Sequence, residues 1–260
     1  MNQAEKIWQE LQRQASQMAA AEPMLASYYH TSILNHASFE AALVHQVSAR
    51  LHSETITELM LKEVFGDCIH RCPDILNAAL LDIIACYERD PACDNYCRPF
   101  IYFKGYIAIQ AYRFAHCLWQ QGRRALARYI GFRSSILFDV DIHPAAKIGA
   151  GVMFDHATGI VIGETAVVGN DVSMLHGVTL GGTGCESGDR HPKVGSGVMI
   201  SCGVKVLGNI TVGDGAKIGG GSVVLESVPA HVTVVGVPAK IMGEETDPVP
   251  SLSMNQSITD

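Results

Sequence analysis

From Ile142 almost to the end of the chain, apolar side chains recur at every sixth residue. They fall at Ile142, Ile148 and Ile160, with Phe154 between them; the beat slips by two and resumes at Ile162, Val168, Met174 and Leu180. After an interruption it returns at Val194, Ile200, Val206, Val212, Ile218 and Val224, and a glycine follows the beat at residues 149, 163, 169, 195, 213 and 219. A period of six fits neither a helix nor a strand, so the segment is a repeat architecture. Hexapeptide repeats form a parallel β-helix, in which three short strands make a triangular coil with apolar residues inside and small residues near the corners. One coil takes about eighteen residues, and coils stack at about 4.8 Å.

Composition divides the chain near residue 140. Only four of the 25 glycines precede residue 141, whereas six of the eight cysteines do. An α+β chain is expected: a helical domain over 1–139, a β-helix over 140–243, and a mobile tail over 244–260, rich in Pro, Ser, Asp and Asn. Helical spacing is expected over Gln3–Ala20, Phe39–Leu51, Glu54–Phe65 and Ile75–Arg89, the last opened by Pro73 and stopped by Asp90-Pro91. A long apolar helix is expected over Phe100–Gln121, closed by Gly122.

A net charge of −7 argues against a general nucleic-acid or anionic-membrane binder. Met1–Glu10 lacks the apolar core of a signal peptide, and the most apolar stretch, Phe100–Trp119, is broken by Lys104, Arg113 and His116. A soluble cytoplasmic protein with reduced cysteines is expected. Cys68, His70 and Cys72 resemble a metal cluster, but on a helix His70 points away from the cysteine pair, and no second pair stands at zinc spacing. No metal is expected.

Polar residues collect where the repeat breaks. One break is Asp155-His156; the other is Gly181–Pro192, too long for a strand and corner, which must leave the coil as a loop. His156 has Asp141 fifteen residues earlier, nearly one coil away, and a carboxylate beside an imidazole holds its tautomer and stabilises its protonated form. Asp139 is a rival partner for the same histidine.

The runs Asp141-Ile142-His143-Pro144-Ala145-Ala146-Lys147-Ile148-Gly149, Asp155-His156-Ala157-Thr158-Gly159, Val178–Gly184 and Gly188-Asp189-Arg190-His191-Pro192-Lys193 resemble the serine O-acetyltransferases. Glu22-Pro23-Met24-Leu25-Ala26-Ser27 and Arg89-Asp90-Pro91 resemble the same family, so the likeness runs nearly to Met242. It implies a left-handed β-helix and acetyl transfer from acetyl-CoA to the L-serine hydroxyl, inhibited by L-cysteine. It also implies roles: His156 as general base, Asp141 as its orienting partner, Asp90 and Asp155 on the substrate ammonium, Arg190 on its carboxylate, and His191 as a further active-site histidine. Acetyl-CoA, a co-substrate rather than a resident cofactor, is expected along the coils near Gly182, Gly203, Ala216, Gly219 and Gly221, with Lys217 or Lys240 near its phosphates.

The resemblance further implies a homohexamer, two trimers of β-helices joined through the helical domains, with active sites between neighbouring prisms. It implies O-acetylserine sulfhydrylase as a partner bound through a C-terminal isoleucine. This chain writes Gln256-Ser257-Ile258-Thr259-Asp260, with the isoleucine two residues short of the end, so weak or absent binding is expected. Three rival readings compete: a zinc carbonic anhydrase using His156, His176 and His191, an acyltransferase for sugars or other amines, and a non-catalytic scaffold. The first calls for closely spaced histidines that the coils lack, and intact Asp141 and His156 speak against the last.

Overall fold

The structure, a computed structural model, describes residues 3–184 and 187–256. Helix α1, Gln3–Ala21, buries Ile7, Leu11 and Ala15 at one-turn spacing. A short α2, Ala26–Tyr29, leads to α3, Phe39–Leu51, capped by the Ser38 hydroxyl on the Ala41 amide. Helix α4, Glu58–Arg71, begins later than the apolar pattern suggests because Thr57 caps it, its hydroxyl accepting from the Met60 amide. Helix α5, Asp74–Arg89, follows Pro73 and ends at Asp90.

The long helix expected over 100–121 is two. Helix α6, Cys97–Tyr102, stops at an extended Phe103, and α7, Lys104–Gln120, starts afresh. A close approach explains the break: a Cβ on Gly105 would lie 2.2 Å from the Phe154 carbonyl oxygen, so α7 must start flush against the first coil. Along its length Tyr112 donates to the Ala146 carbonyl at 2.6 Å, and His116 Nδ1 lies 2.8 Å from that of Pro144. Helix α8, Arg124–Phe138, buries Ala127, Ile130, Ser134 and Phe138, but exposes Phe132, Ile136 and Leu137. Apolar residues on both faces blur its periodicity, and the sequence pattern leaves it unassigned.

Asp139, in a left-handed conformation, turns the chain into the β-helix. The first face stacks 140–142, 160–162, 179–181, 205–207 and 223–224 in parallel; the second stacks 147–148, 167–168, 193–194 and 211–212; the third stacks 153–154, 173–174, 199–200, 217–218 and 232–236, closed by antiparallel 239–244. Ile142, Ile162 and Leu180 form one inward column, and Phe154, Met174, Ile200 and Ile218 another. The six-residue beat is this set of columns. Its two-residue slip has a place: Val140 pairs with Ile160, whereas Val161 pairs with Thr179, so the first coil carries two extra residues at the corner after Phe154. The loop after Gly181 puts Thr179 opposite Lys205.

The segment after 244, expected to be mobile, lies along the coils as far as residue 256. Helix α9, Pro250–Ser253, buries Ser251, whose carbonyl accepts from Ser173 Oγ at 2.9 Å and whose hydroxyl donates to the Asp171 carbonyl. Met254 packs against Ala85, Cys86 and Met153. Ile258 and Asp260 lie outside the described residues. Among the described residues, no helix is long and apolar enough to cross a membrane.

Candidate active site

The corner after Phe154 cannot be an ordinary turn. His156 and Ala157 both take left-handed backbone, φ 54° and 60°, a conformation L-residues adopt at a cost and one that collects at functional sites. Backbone bonds hold it: the Gly159 amide donates to the Asp139 carbonyl at 2.8 Å, which lays the corner beside the first strand. The result is a cavity of about 200 Å³ between this corner and the helices, lined by Asp90, Tyr102, Phe103, Lys104, Gly105, Phe154, Asp155 and His156.

Each wall has a local cause. Asp90 ends α5 and caps the next turn, its Oδ1 accepting from the Ala92 amide at 2.8 Å. Its neighbour Arg89 is 3% exposed and reaches Asp171 and Ser173 on the second coil, both at 3.1 Å, which anchors the end of α5. Lys104, at the break between α6 and α7, donates to Thr158 Oγ1 at 2.5 Å. Burial pushes the Asp155 carboxyl above its ordinary value, and the charge of Asp90 adds to the push while His156 opposes it. His156 Nε2 stands 3.8 Å from Asp155 Oδ1, with its side chain 76% exposed, and its ring meets that of His176 edge-on at 6.0 Å.

Asp141 occupies an outward position on the first strand, paired with Val161, and does not line this cavity. Among the described residues, no hydrogen bond or ion pair joins it to His156; the carboxylate within ion-pair reach of the imidazole is that of Asp155. Asp139 contributes only its backbone carbonyl.

Arg190 and His191 lie elsewhere. They close the loop against the corner between the first and second faces, where Arg190 Nη2 pairs with Glu164 Oε2 at 2.9 Å. Thr165 organises this corner: its hydroxyl accepts from the amides of Arg190 and His191 at 3.0 and 3.1 Å and lies 2.9 Å from His191 Nδ1. The Thr165 amide donates to the same Nδ1 at 3.2 Å, so Nδ1 is an acceptor and the ring proton sits on Nε2. Burial and then the charges of Arg190 and Lys193 lower the His191 pKa, which keeps the imidazole neutral. The ring lies over Gly163, where a Cβ would come within 2.0 Å.

The candidate residues therefore fall on different corners of the prism: Asp90, Asp155 and His156 at one, Arg190 and His191 at another. The expected cofactor residues also divide. Gly203, Gly219 and Gly221 lie on the His156 edge, where Gly159, Gly177, Gly203 and Gly221 stack in a column with φ of 71–74°. Gly182 belongs to the Arg190 corner. Ala216 is wholly buried on the third corner, and the Lys217 ammonium is covered by the chain end, 3.6 Å from Glu245 Oε2, so neither presents a surface to a cofactor. Lys240 is exposed on the last strand. His191 is likewise on a different corner from His156 and His176, so these three do not converge within a chain. Lys104, Thr165 and Arg89 were not legible as site residues, although the charged Lys104 interrupting an apolar run was a signal.

Residues 7–111 match the family described as serine acetyltransferase, N-terminal, and residues 191–226 match the bacterial transferase hexapeptide (six repeats). The chain is 52% identical over 252 residues to the serine acetyltransferase of Escherichia coli K12, covering 97% of this chain and 92% of the relative. It is 51% identical over 250 residues to that of Haemophilus influenzae, covering 96% and 94%. Among solved structures, a serine acetyltransferase in complex with cysteine superposes with TM-score 0.95 at 50% identity, covering 98% of this chain and 99% of that one. The Brucella abortus enzyme with coenzyme A gives 0.91 at 48%, covering 92% and 96%, and the Neisseria gonorrhoeae enzyme with serine gives 0.88 at 50%, covering 90% and 96%.

Proposed function

Because this chain belongs to the serine acetyltransferase family, we propose that it transfers the acetyl group of acetyl-CoA to the hydroxyl of L-serine, and that L-cysteine inhibits it. The observation that carries this reading is the convergence of Asp90, Asp155 and His156 on one small cavity. Two carboxylates suit the ammonium of an amino acid, and a guanidinium suits its carboxylate. His156 takes the hydroxyl proton as the oxygen attacks the thioester carbonyl; the carbon–sulfur bond then breaks and the departing thiolate regains a proton from the imidazolium. The Nε2–H of His191 is a neutral donor for the charge that develops on the carbonyl oxygen. The glycine column beside His156 gives acetyl-CoA an edge to lie along. Relatives solved with CoA, with serine and with cysteine support these three ligands.

Placing Arg190 and His191 beside Asp155 and His156 takes a second chain, in keeping with the trimer of prisms that the family resemblance implies, its sites between neighbouring prisms. The exposed Phe132, Ile136 and Leu137 of α8 supply apolar surface for such contacts, and exposed Met24, Leu59 and Met60 in the helical half supply it for joining two trimers. Helix α7, by contrast, is buried within its own chain and leaves no face for a partner. Thiol release from acetyl-CoA, followed with and without L-serine, tests the activity. Serine-dependent release is expected; release with another amine or a sugar but not with serine would overturn the reading.

A further inference from the structure

Six cysteines sit in the helical half, and none of them belongs to the site. Two meet across helices. Cys72 ends α4, its amide held by the Cys68 carbonyl at 2.8 Å, and Cys117 lies near the end of α7. Their Sγ atoms stand 2.7 Å apart, within an ångström of the S–S bond length of about 2.05 Å. A cavity of about 490 Å³ between α5, α7 and the first coil opens onto both sulfurs, lined also by Asp74, Tyr112, His116 and Gln120. Cys72 is half-buried, while Cys117, on the same cavity wall, is 2% exposed. Cys68, one turn before Cys72, is wholly buried; its carbonyl accepts from Cys117 Sγ at 3.6 Å.

We propose that Cys72 and Cys117 form an oxidation site, at which hydrogen peroxide or another small two-electron oxidant joins α4 to α7 through a disulfide. Cys72 is the sulfur the oxidant reaches. Its Sγ attacks one peroxide oxygen, the O–O bond breaks, and the leaving hydroxide takes up the thiol proton as water. The sulfenic acid so formed is then attacked by Cys117 Sγ; the S–O bond breaks and a second water leaves with the Cys117 proton. Two thiols lose two electrons, and peroxide becomes two waters.

The resting state is the dithiol. Burial, then the contact with Cys117, pushes the Cys72 thiol up to about 11, and the hydrogen bond with Cys68 together with burial holds Cys117 well above the ordinary thiol range. Protonated thiols react slowly, so the pair closes only when oxidant accumulates. Lys104 and Gly105 line the catalytic cavity at the other end of α7, about 20 Å from Cys117 at 1.5 Å per residue. The bond is therefore expected to stiffen the helical half without touching the reacting groups.

The test uses the full-length protein, treated with hydrogen peroxide or kept under reductant, digested without reduction and mapped by mass spectrometry. The expected product is a Cys72–Cys117 linked peptide, lighter by two hydrogens than its parts and lost on reduction. A rise of about 3–8 °C in thermal midpoint should accompany it. C72S and C117S should each abolish the link and the rise, whereas C68S should keep both. Sulfinic or sulfonic acid at Cys72 without the link would overturn the proposal, as would a Cys68–Cys117 link or a bond between two chains.

Discussion

The guanidinium of Arg113, on α7, grips the carboxylate of Asp82, on α5, at 2.7 and 3.0 Å, with the two side chains 7% and 0% exposed. The pair is also a joint between the two halves of the chain. Asp82 Oδ1 accepts from the Val152 amide at 2.9 Å, and Arg113 Nη2 donates to the Gly149 carbonyl at 2.8 Å. Gln110 Nε2 adds a third donor to Asp82 at 2.9 Å.

Removing one member should therefore hurt more than replacing both. Asp82→Ala leaves Arg113 buried without its counter-charge and strands the Val152 amide; a loss of about 3–5 kcal/mol is expected in urea unfolding. The double change Asp82→Leu with Arg113→Met should recover much of that loss, because no buried charge remains. If Asp82→Ala lost less than about 1 kcal/mol, the joint would be ornamental.

A second expectation concerns Asp155. Its carboxyl titrates above the ordinary value, so the fold favours the protonated form. That preference is fully present below the unfolded-state pKa and is lost as pH rises through the folded one; at neutral pH the buried charge works against stability. Asp155→Asn should raise the thermal midpoint at neutral pH while lowering kcat/KM for serine, a trade between stability and function. In Asp90→Asn, the Asp155 carboxyl should titrate at lower pH, since one repelling charge is gone. Carboxyl NMR reads this directly, and an unmoved titration would show that the two carboxylates do not interact.

Much of this layout was legible in the residues. The six-residue beat named the inward columns, and its two irregularities, the slip after Phe154 and the loop after Gly181, are the two corners that carry the candidate side chains. What stayed hidden depends on contacts distant in sequence. The break at Phe103 follows from Gly105 lying against Phe154. The depth of Lys217 follows from packing beneath the chain end, and the docking of Ser251 follows from the Ser173 hydroxyl and the Asp171 carbonyl, about eighty residues earlier. The separation of His191 from His156 is a matter of corner, and spacing alone does not give corner once a loop of irregular length intervenes.

His156 offers the most direct kinetic test. His156→Ala should lower turnover by about 10²–10⁴, the usual range for a general base, in a protein that still folds. The position is exposed and outside the inward columns, so circular dichroism should be unchanged. Asp141→Asn should act in the same direction if Asp141 steers the imidazole in the assembled enzyme. Should Asp141→Asn keep both rate and pH profile while Asp155→Asn loses them, the orienting carboxylate is Asp155, which stands 3.8 Å from the imidazole.

The glycine column makes its own demand. Gly203 sits at φ +72°, above Gly221 on the His156 edge, where a methyl group would both strain the backbone and crowd the edge. Gly203→Ala should destabilise by about 1–3 kcal/mol and raise the KM for acetyl-CoA with little change in that for serine. Gly122→Ala is the control: at φ +78°, with nothing within 4 Å of its added Cβ, it carries the same backbone strain in the turn between α7 and α8, away from the glycine column. Both variants should lose stability, and only Gly203→Ala should lose affinity for acetyl-CoA. Equal KM values in the two would place the cofactor on another edge of the prism.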